Sequence, residues 1–451
     1  MKNDQRIGGV PDMLTRNAPA QDLDNAADLG ISAEAYDLWR SRDDLRDAFP
    51  LDSRQEILRY LGWWLWSISE GQTDHKIDGE WLTRTLSRPA PWVEQAGPFA
   101  ITHEMYALWC FVADLKSRYD LTTNHGKIGL LSWYLFFWRQ RSNLRMPDWA
   151  ITALASLSPG TEDGRPGATT LLAHAIWKWD SRLREAYSIT DPANADALRC
   201  WAIWHLPSNL RGYFSRGSSK QSPEQIFDFW IDGHQHAPGY VKYCRTHRTR
   251  LLATYRLLEP HLRNGQEVLE VGGLSFLAFA ITVNYPETVV TGTTTDLRYE
   301  LPFPDDRFDL VIFTEVLEHL KDRDSSELSD IDQFNFSGVN SLMSELRRVS
   351  RDGSVMLLST PNVSALGNIS QILKGEHPFM YKPHVREFAP AEVLDLVRHH
   401  RFELLSFETQ DVWAPNEDED RELVRSILKT YGFDLANRGD CTFVTARKSG
   451  D

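Results

Sequence analysis

The chain has 451 residues, 42% of them hydrophobic and 25% charged, with a formal net charge of −14. That length exceeds what a single hydrophobic core usually supports, and 11% aromatic residues exclude a disordered chain. The acidic balance gives no footprint for nucleic acid or an anionic membrane surface, and no apolar run reaches the roughly 20 residues of a membrane-spanning helix.

The composition is uneven along the chain. Of 16 tryptophans, all but Trp413 lie between Trp39 and Trp230, whereas residues 251–451 hold 20 Lys and Arg against 33 Asp and Glu. Residues 1–30 are polar, lack the basic-then-apolar pattern of a secretory signal, and read as a flexible arm. Cys110, Cys200, Cys244 and Cys441 are isolated, with no CxxC pair, so neither a zinc site nor a disulfide framework is expected. A reducing cytoplasm is the simplest location.

The tryptophan-rich half is internally repetitive. Segments beginning at Tyr36, Tyr106 and His174 align without gaps: Trp39, Trp109 and Trp177 match, then Leu45, Leu115 and Leu183, then Phe49, Tyr119 and Tyr187. Each first tryptophan is followed 24 residues later by a second, Trp63, Trp133 or Trp201. Spacings of three and four residues place the aromatic and leucine positions on one helical face. Polar punctuation follows at Pro50–Ser53, Thr122–Asn124 and Thr190–Pro192, the last a cap followed by proline. Each unit therefore reads as two helices joined by a short loop, and residues 31–225 as an all-helical domain of three stacked repeats of about 70 residues. Periodic tryptophans are expected in the core. In Trp63-Trp64 and Trp177-x-Trp179 both members cannot share one face, which leaves Trp64 and Trp179 as candidates for stacking on a sugar.

Gly164–Thr170 and Arg216–Gln225 read as loops, and residues 226–262 as connecting helices. Glu267–Ala278 (EVLEVGGLSFLA) has the form of the first strand, turn and helix of a doubly wound nucleotide-binding fold. In such a turn the glycines let a cofactor approach the backbone, here at Gly272 and Gly273, and the acid, here Glu270, meets its ribose or amino group. Strand-like ETVVTGTTTD, LPFPDDRFDLVIFTEVLEHL and LRRVSRDGSVMLLSTPN follow in order.

These ordered motifs resemble the class I S-adenosylmethionine-dependent methyltransferases, over about Arg245 to Lys448. The resemblance implies a Rossmann-like domain over residues 263–451 that binds S-adenosylmethionine through Glu270, Gly272, Gly273, Asp296 and Thr314. The tail from His384 to Thr409 and the closing RGDCTFVTARK look like members found in surface-polysaccharide biosynthesis. Tyr36–Leu51 is similar to helical segments that accompany glycosyltransferases of that pathway. Two departures stand out: Leu274 and Phe276 occupy the places of the family's later glycines, and only four residues separate Asp296 from Leu301, too few for the usual helix and strand. Asp296 is a candidate for the ribose or the adenine amino group; its spacing of 26 residues from Glu270 favours the ribose.

Methyl transfer to a hydroxyl needs the acceptor aligned and its proton removed by a base or a metal. Glu315, Glu318 and His319 (EVLEH) stand where the family places substrate-side residues, and a helical turn would bring them to one face. E-x-x-E-H with a later histidine, His377 or His384, is similar to the metal site of small-RNA 3′-terminal 2′-O-methyltransferases. That implies a divalent ion such as Mg or Mn on Glu315, Glu318, His319 and His384, with His319 as base where no metal binds. Arg386 is placed either to hold an acceptor or to pair with Glu387 or Glu392, and the acidic run Asn416–Glu422 reads as a solvated loop. The expected activity is O-methylation of a sugar hydroxyl in a glycan precursor, with the repeats docking the acceptor or a glycosyltransferase. The competing readings are RNA 2′-O-methylation and a cofactor-incompetent scaffold of the same fold.

Overall fold

The computed structural model describes residues 31–70, 101–138, 154, 158, 169–191, 194–206, 208, 211–212, 220–324, 336–413 and 419–450. The arm at 1–30, most of the Gly164–Thr170 loop, and Pro192 lie outside them. The chain divides into two compact units, Met1–Ala202 and Ile203–Asp451.

In the first unit the three matched segments each open on a capped helix. They comprise α1 (Ala33–Ser41), α2 (Asp43–Ala48) and α3 (Arg54–Ser69); α4 (His103–Phe111), α5 (Ala113–Arg118) and α6 (Asn124–Trp133); and α7 (Leu171–Trp179), α8 (Ser181–Ala186) and α9 (Ala195–His205). At matched positions Ser32, Thr102 and Thr170 accept from the backbone N–H of Ala35, Met105 and Ala173, satisfying helix-start donors.

The expected first helix is in fact two, broken at Arg42, Val112 and Asp180, which are all extended. The break lets the indole N–H of Trp39, Trp109 and Trp177 donate to the carbonyl ten residues on, at Phe49 (2.7 Å), Tyr119 (2.9 Å) and Tyr187 (2.8 Å). In one continuous helix those residues would stand about 15 Å apart along the axis. Neither glycine nor proline marks the break.

Leu45, Leu115 and Leu183 are buried, as are Trp133 and Trp201. Trp64 is 0% exposed and packs in the core, which removes it as a sugar contact, whereas Trp179 is 43% exposed. Helix α3 lies on α4, and α6 on α7. A Cβ on Gly62 would fall 2.2 Å from the Ala107 carbonyl oxygen, so glycine is what permits the α3–α4 approach. Beyond α6 a π-helical turn, Tyr134–Trp138, is held by the buried Glu104 carboxylate, which accepts from Tyr134 Oη (2.7 Å) and Trp138 Nε1 (2.8 Å).

The second unit contains helices α10 (Pro223–Gly233), α11 (Pro238–Thr246) and α12 (Arg248–Leu258) ahead of a six-stranded sheet. The loop expected to run to Gln225 ends earlier, because Ser222 and Gln225 form a capping box with Pro223 in the first turn of α10. Strands β1 (Glu267–Val271), β2 (Val289–Thr293), β3 (Phe308–Thr314) and β4 (Ser350–Pro361) are parallel, while β6 (Cys441–Lys448) lies antiparallel between β4 and β5 (Phe402–Gln410). The order is β2-β1-β3-β4-β6-β5.

The helices of this unit beyond α12 are α13 (Phe276–Asn284), α14 (Ser337–Val349), α15 (Leu366–Leu373), α16 (Pro390–His399) and α17 (Glu419–Thr430). The end of the acidic run read as a loop, Glu419–Glu422, is therefore the first turn of α17, where carboxylates favour the helix N-terminus.

The apolar run of β3, with Phe308, Val311 and Phe313 all buried, fits a strand covered on both faces. Helices α10 and α12 pack on α13, where Phe227 meets Phe276 edge-on at 5.2 Å and Trp230 meets Phe279 at 5.1 Å. Strand β2 is the sheet edge, and Asp296 to Leu301 is a turn, in keeping with the short spacing in the sequence. Among the described residues no helix is long and apolar enough to cross a membrane.

Candidate functional site

The chain leaves β1 for β2 on one side and returns to β3 on the other, so the strand order reverses between β1 and β3. Ligands of doubly wound sheets bind outside the carboxyl ends of strands at such a reversal. A pocket of about 200 Å³ lies there, walled by Glu270 of β1 and Gly272 and Gly273 after it, Thr314 at the end of β3 and Glu315 after it, and Tyr240 and Arg250 from α11 and α12.

Gly272 and Gly273 have φ of +92° and +107°, which side-chain-bearing residues rarely adopt, so the turn after β1 depends on both. Glu270 shapes that turn from below. Its carboxylate accepts from the Ser275 backbone N–H (3.0 Å) and from Ser275 Oγ, while Ser275 Oγ in turn accepts from Leu277 N–H to cap α13. Burial raises the Glu270 carboxyl to about 7, against the opposing pull of the Ser275 bonds. Of the bulky residues in the later glycine places, Phe276 is fully buried, packs on Phe227 and forms part of the pocket wall, whereas Leu274 is 48% exposed and outside that wall. Gly292 on β2 leaves room for this loop, since a Cβ there would sit 3.0 Å from Leu274 N.

Glu315 sits just past β3 with φ of +55°, a strained conformation for a residue with a side chain. It accepts from Ser359 Oγ (2.8 Å), and Cys441 Sγ on β6 lies 3.6 Å from the same oxygen. Burial raises its carboxyl, and the positive charge of Arg250 partly offsets the effect.

Glu315 therefore turns to the pocket and away from the turn that follows. Residues Leu317–His319 form a single 3₁₀ turn, and there Glu318 and His319 meet His384, with one donor atom from each within 4.8 Å of the others. Glu315 does not join this group, so the expected common face of Glu315, Glu318 and His319 does not form. Glu318 is buried and accepts from Thr360 Oγ1 (3.0 Å); burial, with the Glu315 charge beside it, holds its carboxyl well above the usual range. His319 is half exposed, 3.9 Å from Glu318, and its imidazole is lowered by burial and then by His384. His384 Nδ1 faces Glu387 Oε1 at 2.7 Å, which leaves Nε2 for another partner. Of the two later histidines, only His384 reaches the group; His377 is exposed and packs on Phe379 at 4.6 Å.

Asp296 lies beyond the end of β2, exposed, outside the pocket wall and locked in a two-pronged pair with Arg298 (2.8 and 3.0 Å). Arg386 pairs with Glu392 and lies over Phe336 at 4.1 Å. Sequence reasoning missed the contributions of Tyr240, Tyr243 and Arg250. They stand upstream of the glycine motif on helices read as connectors, and no local pattern marks them.

No family profile and no curated protein matches the sequence. Similar solved structures include several described as S-adenosylmethionine-dependent methyltransferases. One from Archaeoglobus fulgidus is 16% identical, over 46% of this chain and 99% of that one, with a TM-score of 0.32. One from Thermotoga maritima, described as a possible histamine N-methyltransferase, is 18% identical over 50% and 99%, with a TM-score of 0.31. One from Mesorhizobium loti is 14% identical over 44% and 96%, with a TM-score of 0.27.

Proposed function

We propose that the Ile203–Asp451 unit transfers a methyl group from S-adenosylmethionine to a hydroxyl of a sugar or glycan precursor. The observation that carries this reading is the pocket at the β1/β3 reversal, where two positive-φ glycines and the partly buried Glu315 stand with the buried acid Glu270. Motifs resembling the class I methyltransferases supply the same strands and turns. When bound, the cofactor supplies an electrophilic methyl group on a sulfonium. The chain's part is to position and to move a proton: Gly272 and Gly273 bring the backbone close, Glu270 fixes their turn, and Thr314 and Glu315 line the same pocket at the end of β3. Where no metal binds, His319, half exposed just past the pocket-lining strand end, takes the proton of the acceptor hydroxyl.

Glu318, His319 and His384 fit a divalent cation. Glu387 orients His384 as outer carboxylates orient ligating imidazoles, and two imidazoles with one carboxylate suit Mn better than Mg. Such an ion would hold vicinal hydroxyls, and this favours RNA 2′-O-methylation as the second reading; the net acidity of the chain opposes it. The scaffold alternative keeps one motive, Phe276 in the pocket wall, while exposed Leu274 stands outside it.

For the first unit we propose three stacked repeats that dock the acceptor or a partner glycosyltransferase, with exposed Trp179 beside Phe136 as the stacking surface. Four buried free cysteines suit a reducing cytoplasm. The test is incubation with radiolabelled cofactor and separated glycan, lipid, RNA and protein fractions. Label in glycan is the expected result, label in RNA selects the second reading, and absence of cofactor binding by calorimetry removes both.

A further inference from the structure

Arg250 is the least satisfied charge in the pocket. It is 4% exposed, it lines the cavity, and its Nε has no hydrogen-bond partner among the described residues. Its Nη2 reaches Tyr243 Oη only at 3.5 Å, the outer limit of a hydrogen bond, and the guanidinium carbon lies 6.0 Å from the Trp413 ring centroid. Its charge lowers the Glu315 carboxyl, yet the two form no ion pair. A guanidinium removed from water without a partner is costly, and a fork of donors aimed into a cavity is matched by a planar anion.

The rest of the pocket narrows which anion. Glu270 and Glu315 line the same cavity, so a phosphate dianion would meet two carboxylates, whereas a singly charged carboxylate with a cation beside it would satisfy both signs. We propose that Arg250 binds the α-carboxylate of an amino-acid-bearing ligand, and that Glu270 and Glu315 form the side of the pocket facing its ammonium. This rests on the methyltransferase reading and deepens it: the ligand end is the methionine end of the cofactor, and the residue that selects it comes from α12, ahead of the sheet.

The experiment compares S-adenosylmethionine with its decarboxylated analogue, which differs only in the carboxylate, by calorimetry on the full chain. The wild type should prefer the carboxylated form by roughly 30-fold or more, as for a buried charge pair. Arg250→Gln should bring that ratio close to one while the decarboxylated analogue still binds, which also shows that the variant is folded. A ratio unchanged in Arg250→Gln overturns the assignment while the methyltransferase reading stands, and places any role of Arg250 on the acceptor. Should Arg250→Gln not fold, Arg250→Lys, which keeps the charge and loses the fork, should lower the ratio at least about threefold; no change in it overturns the assignment equally. Binding of neither ligand by the wild type fails the methyltransferase reading itself.

Discussion

Ser275 gives both its backbone N–H and its hydroxyl to the Glu270 carboxylate, so one residue holds the acid of β1 and caps the helix after it. The acid is nevertheless raised to about 7 by burial. A carboxyl raised in the folded state binds its proton more tightly there than in the unfolded chain. Its contribution is therefore complete below its ordinary 4.5 and is lost as pH rises through about 7. The difference corresponds to roughly 3 kcal/mol. Melting temperature against pH should fall between pH 5 and 7 in the wild type and be flatter in Glu270→Gln; equal slopes would exclude Glu270 as the group.

Gly272→Ala and Gly273→Ala should each cost about 1–2 kcal/mol from backbone strain, with a small addition at 272, where a Val316 methyl 3.3 Å from the added Cβ must give way, and none at 273, where the Thr294 methyl at 3.5 Å is in ordinary contact. The measurement is chemical denaturation together with binding of S-adenosylhomocysteine, which should weaken at least tenfold. Full binding by both variants would show that the turn is not the cofactor's cradle.

Manganese binding should follow the geometry of the 3₁₀ turn. His384→Ala should abolish it, and Glu387→Gln should weaken it about 10- to 100-fold by releasing the imidazole's orientation. Glu315→Gln should leave it unchanged, since Glu315 is not in the group. Titration with manganese chloride reads all three, and a loss in Glu315→Gln equal to that in His384→Ala would contradict the arrangement.

The first unit offers a stability test. Gly62→Ala places a Cβ against backbone, 2.2 Å from the Ala107 oxygen, and should destabilise by about 2 kcal/mol or more. Gly129→Ala meets only the Tyr119 ring, at 2.7 Å, and that side chain can move, so the cost should be clearly smaller. Denaturant midpoints of the two variants decide; a reversed order would deny the close α3–α4 approach.

Much of the second unit was legible because its strands are short apolar runs ended by glycines and acids, a pattern that leaves little choice of register. The broken helices of the first unit were not, since the breaks at Arg42, Val112 and Asp180 are stabilised by indole bonds ten residues away and carry no helix-breaking residue. Its starts were readable in principle: Ser32, Thr102 and Thr170 sit at the repeat spacing. At the site, EVLEH was found but divided wrongly, because the positive φ of Glu315 is a backbone property that its side chain does not advertise. Arg250 was missed for the opposite reason, being brought to the pocket by packing of α12 alone.

Strand β6 is hydrogen-bonded on both sides, to β4 and to β5, and among the described residues β5 pairs with no other strand. As a ribosome makes this chain, strands β1 to β4 emerge with their order already set, while β5 has nothing to join until Lys448 has been added. The same late strand brings Cys441 to Glu315. A nascent chain stalled before β6 thus holds the glycine turn while Glu315 still lacks its Cys441 partner.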